Sequence, residues 1–162
     1  MTARADGAGT TPVPVPATVV WIDSREAIVA RLDGDAPAIA RLESEVPAHR
    51  KSTGHVAHSP ALRHGGGGSP QDAGELHRQE HIERFLATVA ATLPGDERLV
   101  ILGPGTIRER LEARVRADDT KRRRTRTVAS EAASRTTERR IVERLRAENG
   151  IQPPRHAATV RG

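Results

Sequence analysis

The hydrophobic and polar positions of this chain follow patterns that predict short strands and amphipathic helices. The unbroken apolar run LVIL at residues 99–102 is typical of a strand buried on both faces, as in a parallel sheet between helices. The run ends in the turn sequence GPG at 103–105, and Thr106 with Glu109 three residues later predicts a capping box. We therefore expect a helix to begin directly after this strand.

Helices are predicted wherever apolar residues recur every three or four positions. The first follows Ser69-Pro70, which supplies an N-cap and a proline at the first helical position. The last is capped by Thr136 or Thr137 and ends at Asn149-Gly150. The apolar stripes are Ile82, Phe85, Leu86, Val89 and Leu93 in the first helix, Ile107, Leu111 and Val115 in the second, and Ile141, Val142 and Leu145 in the last.

Further strands are predicted on either side of these helices. Those at 18–22, 26–32 and 39–46 are separated by turn signals and form an antiparallel meander, and a short final strand is predicted at 125–130. The order β-β-β-α-β-α-β-α joins the later strands by helical crossovers. The sequence therefore predicts an α/β fold, a mixed sheet with helices on both faces.

The length of 162 residues fits one domain with flexible ends. Residues 1–16 are small, polar and rich in proline, and we expect them to be disordered. The α/β domain is predicted at 17–150. Within it, 47–73 is predicted to form a flexible loop rich in glycine and histidine, and 151–162 is predicted to be a disordered tail.

Composition narrows the classes of chemistry that the chain can perform. Aromatic residues make up 1% of it, and both Trp21 and Phe85 are placed for a core otherwise made of aliphatic side chains. Cysteine is absent, which excludes disulfides, thiolate catalysis and Cys-ligated metal sites. No apolar run approaches the roughly 20 residues of a membrane span, and no signal-peptide pattern is visible, so we expect a cytoplasmic protein without membrane contact.

The net charge of +5, carried almost wholly by arginine, favours anionic partners such as RNA, although a GC-rich genome produces the same composition. The planar guanidinium group of arginine can form two hydrogen bonds to one phosphate, and a glycine-rich loop can follow an RNA backbone. With no spare aromatic side chains for base stacking, such binding should be directed to the backbone and sensitive to salt. The alternative is a solvated charged loop. The candidate RNA-binding residues are His49, Arg50, Lys51, Arg63, His64, Gly65, Gly66, Gly67, Gly68, Lys121, Arg122, Arg123 and Arg124.

Motifs for metal-dependent and nucleotide chemistry have plainer interpretations. His77, Glu80 and His81 match the H-x-x-E-H pattern of zinc peptidases, with Glu143 as a conjectural third ligand, but a solvated helix face explains them as well. Asp23 with Glu80 or Glu83 would supply only part of the carboxylate cluster that a two-metal nuclease needs. The simpler interpretation of Asp23 is a turn residue. The GPG turn lacks the lysine of a phosphate-binding loop. No metal or cofactor is predicted.

Four segments in a fixed order resemble one protein family. They are VVWIDSREAIVARL, the basic segment before the glycine run, HRQEHIERFLATVA and LVILGPGTIRERL. Together they resemble the middle domain of archaeal and eukaryotic class-I release factors and of Pelota, over about residues 18–149. The resemblance implies the ribonuclease H-like fold of translational machinery components and contact with the ribosome, its rRNA or tRNA. The chain also resembles small bacterial proteins that consist of this domain alone.

The chain departs from that family at the catalytic loop. Release factors carry Gly-Gly-Gln there, whereas here the glycines at 65–68 are followed by Ser69 and Pro70. Proline restricts its own backbone and that of the residue before it, so Gln71 does not simply replace the missing glutamine. We expect a non-catalytic ribosome- or RNA-associated module. The alternatives are a peptidyl-tRNA ester hydrolase using the glycine loop and Gln71, and a protein-interaction domain without RNA contact.

Overall fold

The computed structural model describes residues 14–45 and 70–152. In these residues the elements follow the order predicted from the sequence. They are β1 (Ala17–Ile22), β2 (Glu26–Asp33), β3 (Ala36–Glu43), α1 (Pro70–Thr92), β4 (Arg98–Gly103), α2 (Gly105–Lys121), β5 (Val128–Ala132) and α3 (Glu138–Glu148). In this part of the chain, no helix is both long and apolar enough to cross a membrane.

The strands form one mixed sheet in the order β3-β2-β1-β4-β5. The first three pair antiparallel through short turns, whereas β4 runs parallel to both β1 and β5. At the β1–β2 turn the Asp23 carboxylate accepts hydrogen bonds from the backbone N–H groups of Arg25 (2.7 Å) and Glu26 (2.9 Å). Asp23 is thus a turn residue. The mixed sheet with its three helices confirms the predicted α/β fold class.

Each buried strand contributes alternate side chains to two cores, because successive residues point to opposite faces of the sheet. On one face α1 and α2 cover one core, and on the other face α3 covers the second. Strand β4 supplies Leu99 and Ile101 to the first core and Val100 and Leu102 to the second. The prediction that this strand is buried on both faces is confirmed.

The predicted helical stripes are the ones that pack on the sheet. Every stripe residue of the first two helices is buried, as are Ile141 and Leu145 of α3, while Val142 is half-buried. Trp21 and Phe85 are both in the core, and the indole Nε1 of Trp21 donates to the carbonyl of Ser134 at 3.1 Å. Apolar periodicity therefore located the core correctly.

Several boundaries were predicted wrongly. The capping box is absent, because α2 begins at Gly105 with Pro104 as N-cap and no side-chain cap bond, which leaves Thr106 inside the first turn. Strand β3 begins at Ala36 instead of residue 39, since the turn at Gly34 (φ 63°) pairs Ala36 directly with Asp33. The last strand begins at Val128 instead of residue 125.

Candidate nucleic-acid interface

The second helix ends in a Schellman motif whose C′ position is occupied by arginine. The N–H of Arg123 donates to the carbonyl of Thr120 (3.3 Å), and the N–H of Arg124 donates to that of Asp119 (2.8 Å). Arg123 adopts φ 54°, a left-handed conformation that glycine usually supplies at this position. The motif thus ends the helix within the basic run.

The run Lys121–Arg124 carries charge that is not neutralised within the part of the chain that the structure describes. Its four side chains form no ion pair with a described residue. The first three are exposed and Arg124 is half-buried. The guanidinium of Arg124 lies against Gly95, where an added Cβ would overlap it. We call these four residues the cationic turn.

Two cavities flank the cationic turn and share arginines. One, of about 350 Å³, lies between α1 and the end of α2. The other, of about 440 Å³, lies between the start of β4 and the approach to β5. Arg114, Arg122, Arg124 and Arg126 line the first, and Arg98, Arg123, Arg124 and Arg126 line the second. Each cavity also has one aspartate, Asp118 in the first and Asp96 in the second. Arginine therefore outnumbers carboxylate in both.

Beneath the cationic turn lies a buried ion pair. The Nε of Arg126 lies 2.8 Å from Oδ2 of Asp119, and the two side chains are only 3% and 10% exposed. Nη1 of Arg126 also donates to the carbonyl of Pro94. Asp119 Oδ1 has no hydrogen-bond partner among the described residues. Because Asp119 neutralises Arg126, the uncompensated charge of this region belongs to the cationic turn.

Sequence reasoning missed the arginines that lie beside the cationic turn. Arg98, Arg114 and Arg126 come from β4, α2 and the approach to β5, and only the fold brings them to the two cavities. All three are already paired, Arg126 with Asp119, Arg114 with Glu83 at 3.2 Å and Arg98 with Glu148 at 3.6 Å. No local sequence signal distinguishes such paired arginines from free ones, since pairing depends on distant residues.

The other predicted contact residues lie outside the described residues. They are His49, Arg50, Lys51, Arg63, His64, Gly65, Gly66, Gly67 and Gly68. The backbone of Gln71 is helical, in the first turn of α1, and its side chain is outside the described part. The structure thus places only the cationic turn of the predicted interface.

The remaining candidate chemistry does not assemble in the described residues. Glu143 lies on α3, which packs on the opposite face of the sheet from α1, and it pairs with Arg139 at 3.0 Å. It therefore cannot be a third ligand beside His77. No group of three or more potential metal ligands lies together in the described ranges, and Glu83 bonds to Arg110 and Arg114. The nuclease and zinc-peptidase sets considered from the sequence as less favoured alternatives are not formed there.

Similarity to known proteins is found among solved structures. No family model and no curated protein matches the sequence. Among solved structures, Pelota from Thermoplasma acidophilum is similar over 87% of this chain and 35% of its own, with 15% identity and a TM-score of 0.44. The archaeal translation termination factor aRF1 is similar over 83% and 36%, with 11% identity and a TM-score of 0.47.

A third similar structure is S. cerevisiae Dom34, described as a translation termination-like factor involved in RNA quality control pathways and interacting with Hbs1. The similarity covers 86% of this chain and 36% of Dom34, with 10% identity and a TM-score of 0.45. The chain thus spans little more than a third of the length of these proteins. Pelota and the release factors are also the proteins that segments of the sequence resemble.

Proposed function

We propose that this chain is a non-catalytic, translation-related module that binds the RNA backbone of the ribosome or of tRNA through its cationic turn. The observation that carries the proposal is the run of four consecutive cations without an ion pair to any described residue. Unpaired arginines at a surface are ready to bind phosphate, since no internal carboxylate has to be displaced first.

The character of the surface favours contact with phosphate over contact with bases. Trp21 and Phe85, the aromatic residues of the chain, are both buried and unavailable for stacking. The net charge of +5 adds long-range attraction to a polyanion. Binding should therefore show little sequence preference and should weaken steeply as salt is added.

The start of α1 supports a role without catalysis. Because Pro70 begins the helix, Gln71 belongs to its first turn and is not carried on an extended loop. A glutamine that acted as in the release factors would need the freedom of the Gly-Gly-Gln loop to reach an ester. We infer the role in translation, and with it a cytoplasmic location, from the sequence resemblance to the release factors and Pelota.

Co-sedimentation of the full chain with ribosomes across a salt series tests the proposal. We expect binding that disappears as salt rises. Replacing Lys121, Arg122 and Arg123 by alanine should make the salt dependence shallower, by about one unit of the logarithmic slope for each phosphate that is no longer bound. The matched control removes the same charge from the opposite face of the sheet by replacing Arg135, Arg139 and Arg140, which are also exposed. Equally weakened binding in the two variants, or no ribosome association at low salt, would overturn the proposal.

A peptide-release assay on loaded ribosomes separates the hydrolase alternative. Release that disappears with Gln71→Ala would replace the non-catalytic role by ester hydrolysis. Deletion of residues 65–68 in the same assays tests whether the glycine run contributes to binding. Absence of release together with salt-sensitive binding is the expected result.

A further inference from the structure

We propose that His77 and His81 of α1 chelate one divalent late first-row transition metal ion, of the zinc, nickel or copper class. The two imidazoles lie one turn apart on the helix, with their Nε2 atoms 3.1 Å from each other. Their ring planes are nearly perpendicular and the centroids are 4.5 Å apart. The two Nε2 atoms are thus within hydrogen-bond distance of each other.

The separation of the two nitrogens fits a shared metal ion. With metal–nitrogen bonds of about 2.0–2.1 Å, two ligands lie about 3.3–3.4 Å apart at a tetrahedral angle and about 2.9 Å apart at a right angle. The observed 3.1 Å lies between these values. Imidazole nitrogen is a preferred ligand of zinc, copper and nickel, and a poor one for magnesium or calcium. The class of ion follows from the ligands.

The surroundings of the pair favour a cation. The Glu80 carboxylate lies 3.8 Å from Nδ1 of His77, the ring nitrogen opposite to the proposed ligand atom. A carboxylate that accepts a hydrogen bond from this ring nitrogen orients a metal-bound histidine and strengthens it as a ligand, and 3.8 Å is an ion-pair separation just beyond such a bond. His81 also lines a cavity of about 240 Å³ with Glu43, Glu45 and Arg84, so carboxylates outnumber cations there. Water would complete the coordination, since no third protein ligand lies at the pair in the described residues.

The site differs from the zinc peptidase considered from the sequence. Without a third protein ligand the metal would be held weakly and exchanged readily, which suits neither a structural zinc nor a peptidase centre. The direct consequence of binding is local, because the ion would bridge one turn of α1 and resist its fraying. The proposal does not rest on RNA binding.

The test uses the full chain with its five other histidines, at 49, 55, 58, 64 and 156, replaced by alanine. Isothermal titration of NiCl₂ or ZnCl₂ into this protein measures metal binding at His77 and His81. We expect one ion per chain. His77→Ala or His81→Ala should each weaken the affinity by about tenfold or more, because a two-ligand site becomes a single imidazole. Affinity should rise from manganese to nickel to copper, in the general order for nitrogen ligands, with no binding of magnesium.

A register control keeps two histidines but breaks their geometry. Leu76→His combined with His77→Ala places histidines at 76 and 81, five positions apart and on different sides of the helix, and Leu76 is 67% exposed, so the change should be harmless to folding. Circular dichroism without metal would verify the fold. Two results would overturn the proposal. One is that the control binds metal as tightly as the chain with His77 and His81. The other is that this chain binds metal no more tightly than the single-histidine variants.

Discussion

The side-chain amide of Asn149 hydrogen-bonds to both backbone groups of Ala17. Its Oδ1 accepts from the N–H of Ala17 at 2.8 Å, and its Nδ2 donates to the carbonyl of the same residue at 3.0 Å. Nδ2 also donates to the carbonyl of Leu145 at 2.8 Å, so one side chain caps α3 and fixes it to the start of β1. The end of the last helix is thereby attached to the first strand of the sheet.

We expect Asn149→Ala to lower the free energy of unfolding by about 1–3 kcal/mol, since it leaves half-buried backbone groups without partners. Urea denaturation followed by circular dichroism measures the change. Gln152→Ala removes an amide from an exposed residue and should change stability by less than about 0.5 kcal/mol. A similar destabilisation in both variants would show that the hydrogen bonds to Ala17 carry no stability.

Gly103→Ala should destabilise the fold by at least about 3 kcal/mol, because its φ of 154° disfavours side chains and a Cβ there would overlap the carbonyl oxygen of Ile22. Gly34→Ala is the matched control. Gly34 also has a positive φ, 63°, but its Cβ would meet nothing within 4 Å, so only the backbone cost of about 1 kcal/mol remains. Equal denaturation midpoints for the two variants would contradict the close approach of β4 to β1 at Gly103.

Arg123→Gly should stabilise the fold by about 1 kcal/mol, since glycine adopts the left-handed conformation without strain. The same variant should lower the salt dependence of ribosome binding by about one phosphate contact. Arg122→Gly removes an equal charge at φ −94°, where there is no such strain to relieve, and should reduce binding without the increase in stability. Unchanged binding by Arg123→Gly would remove the functional explanation for an arginine at this position.

Asp119→Ala should cost about 3–5 kcal/mol of stability, because it leaves the Arg126 guanidinium buried without its carboxylate. The double variant Asp119→Leu with Arg126→Met should recover most of that stability, since a buried ion pair can be replaced by apolar packing. Glu143→Ala breaks the exposed pair with Arg139 and should change stability by less than about 1 kcal/mol. Thermal denaturation of the unaltered chain, Asp119→Ala, the double variant and Glu143→Ala measures these differences in stability.

Stability should fall in mild acid. A hydrogen bond from Arg144 lowers the pKa of Glu131, and one from Arg116 lowers the pKa of Glu112. A carboxyl whose folded pKa lies below its unfolded value stabilises the fold above the unfolded pKa, and that stability is lost as the pH falls through the folded pKa. The decline should therefore begin near the usual glutamate pKa of 4.5.

The acid effect of each glutamate should be less than about 1 kcal/mol, because both pairs are open to solvent. Urea denaturation between pH 3 and pH 6 measures it. Glu131→Gln and Arg144→Met each break the Glu131–Arg144 pair, and Arg144→Met also removes the bond to Glu148, so both should reduce the pH dependence. A pH profile that neither variant alters would contradict the assigned pairing.

Much of the fold was predictable because it rests on local periodicity. The LVIL run and the stripe of Ile107, Leu111 and Val115 indicate their burial without reference to any other element. The start of α2 was not predictable in this way. The helix begins at Gly105 with Pro104 as N-cap and without a side-chain cap bond, which the local pattern of Thr106 and Glu109 does not indicate. The capping box, a purely local pattern, gave the wrong first residue.

The candidate site was predictable only in part for a related reason. The cationic turn is visible because its charges are consecutive, whereas the pairing of Arg126 with Asp119 depends on burial that the fold creates. The turn conformation of Arg123 gave no sequence signal, since glycine is the residue expected at that position. The RNA-binding role of the candidate residues between His49 and Gly68 remains a prediction.

The position of β1 in the middle of the sheet has a consequence for the order in which the molecule can form. Ala17 on β1 pairs with Arg98 on β4, so a chain under synthesis makes its central strand long before that strand's parallel neighbour exists. The meander of β1, β2 and β3 has apolar side chains on both faces, and the helices that cover those faces all come later. We therefore expect folding to be completed only after α3 is made, with a nascent chain that depends on protection from aggregation until then.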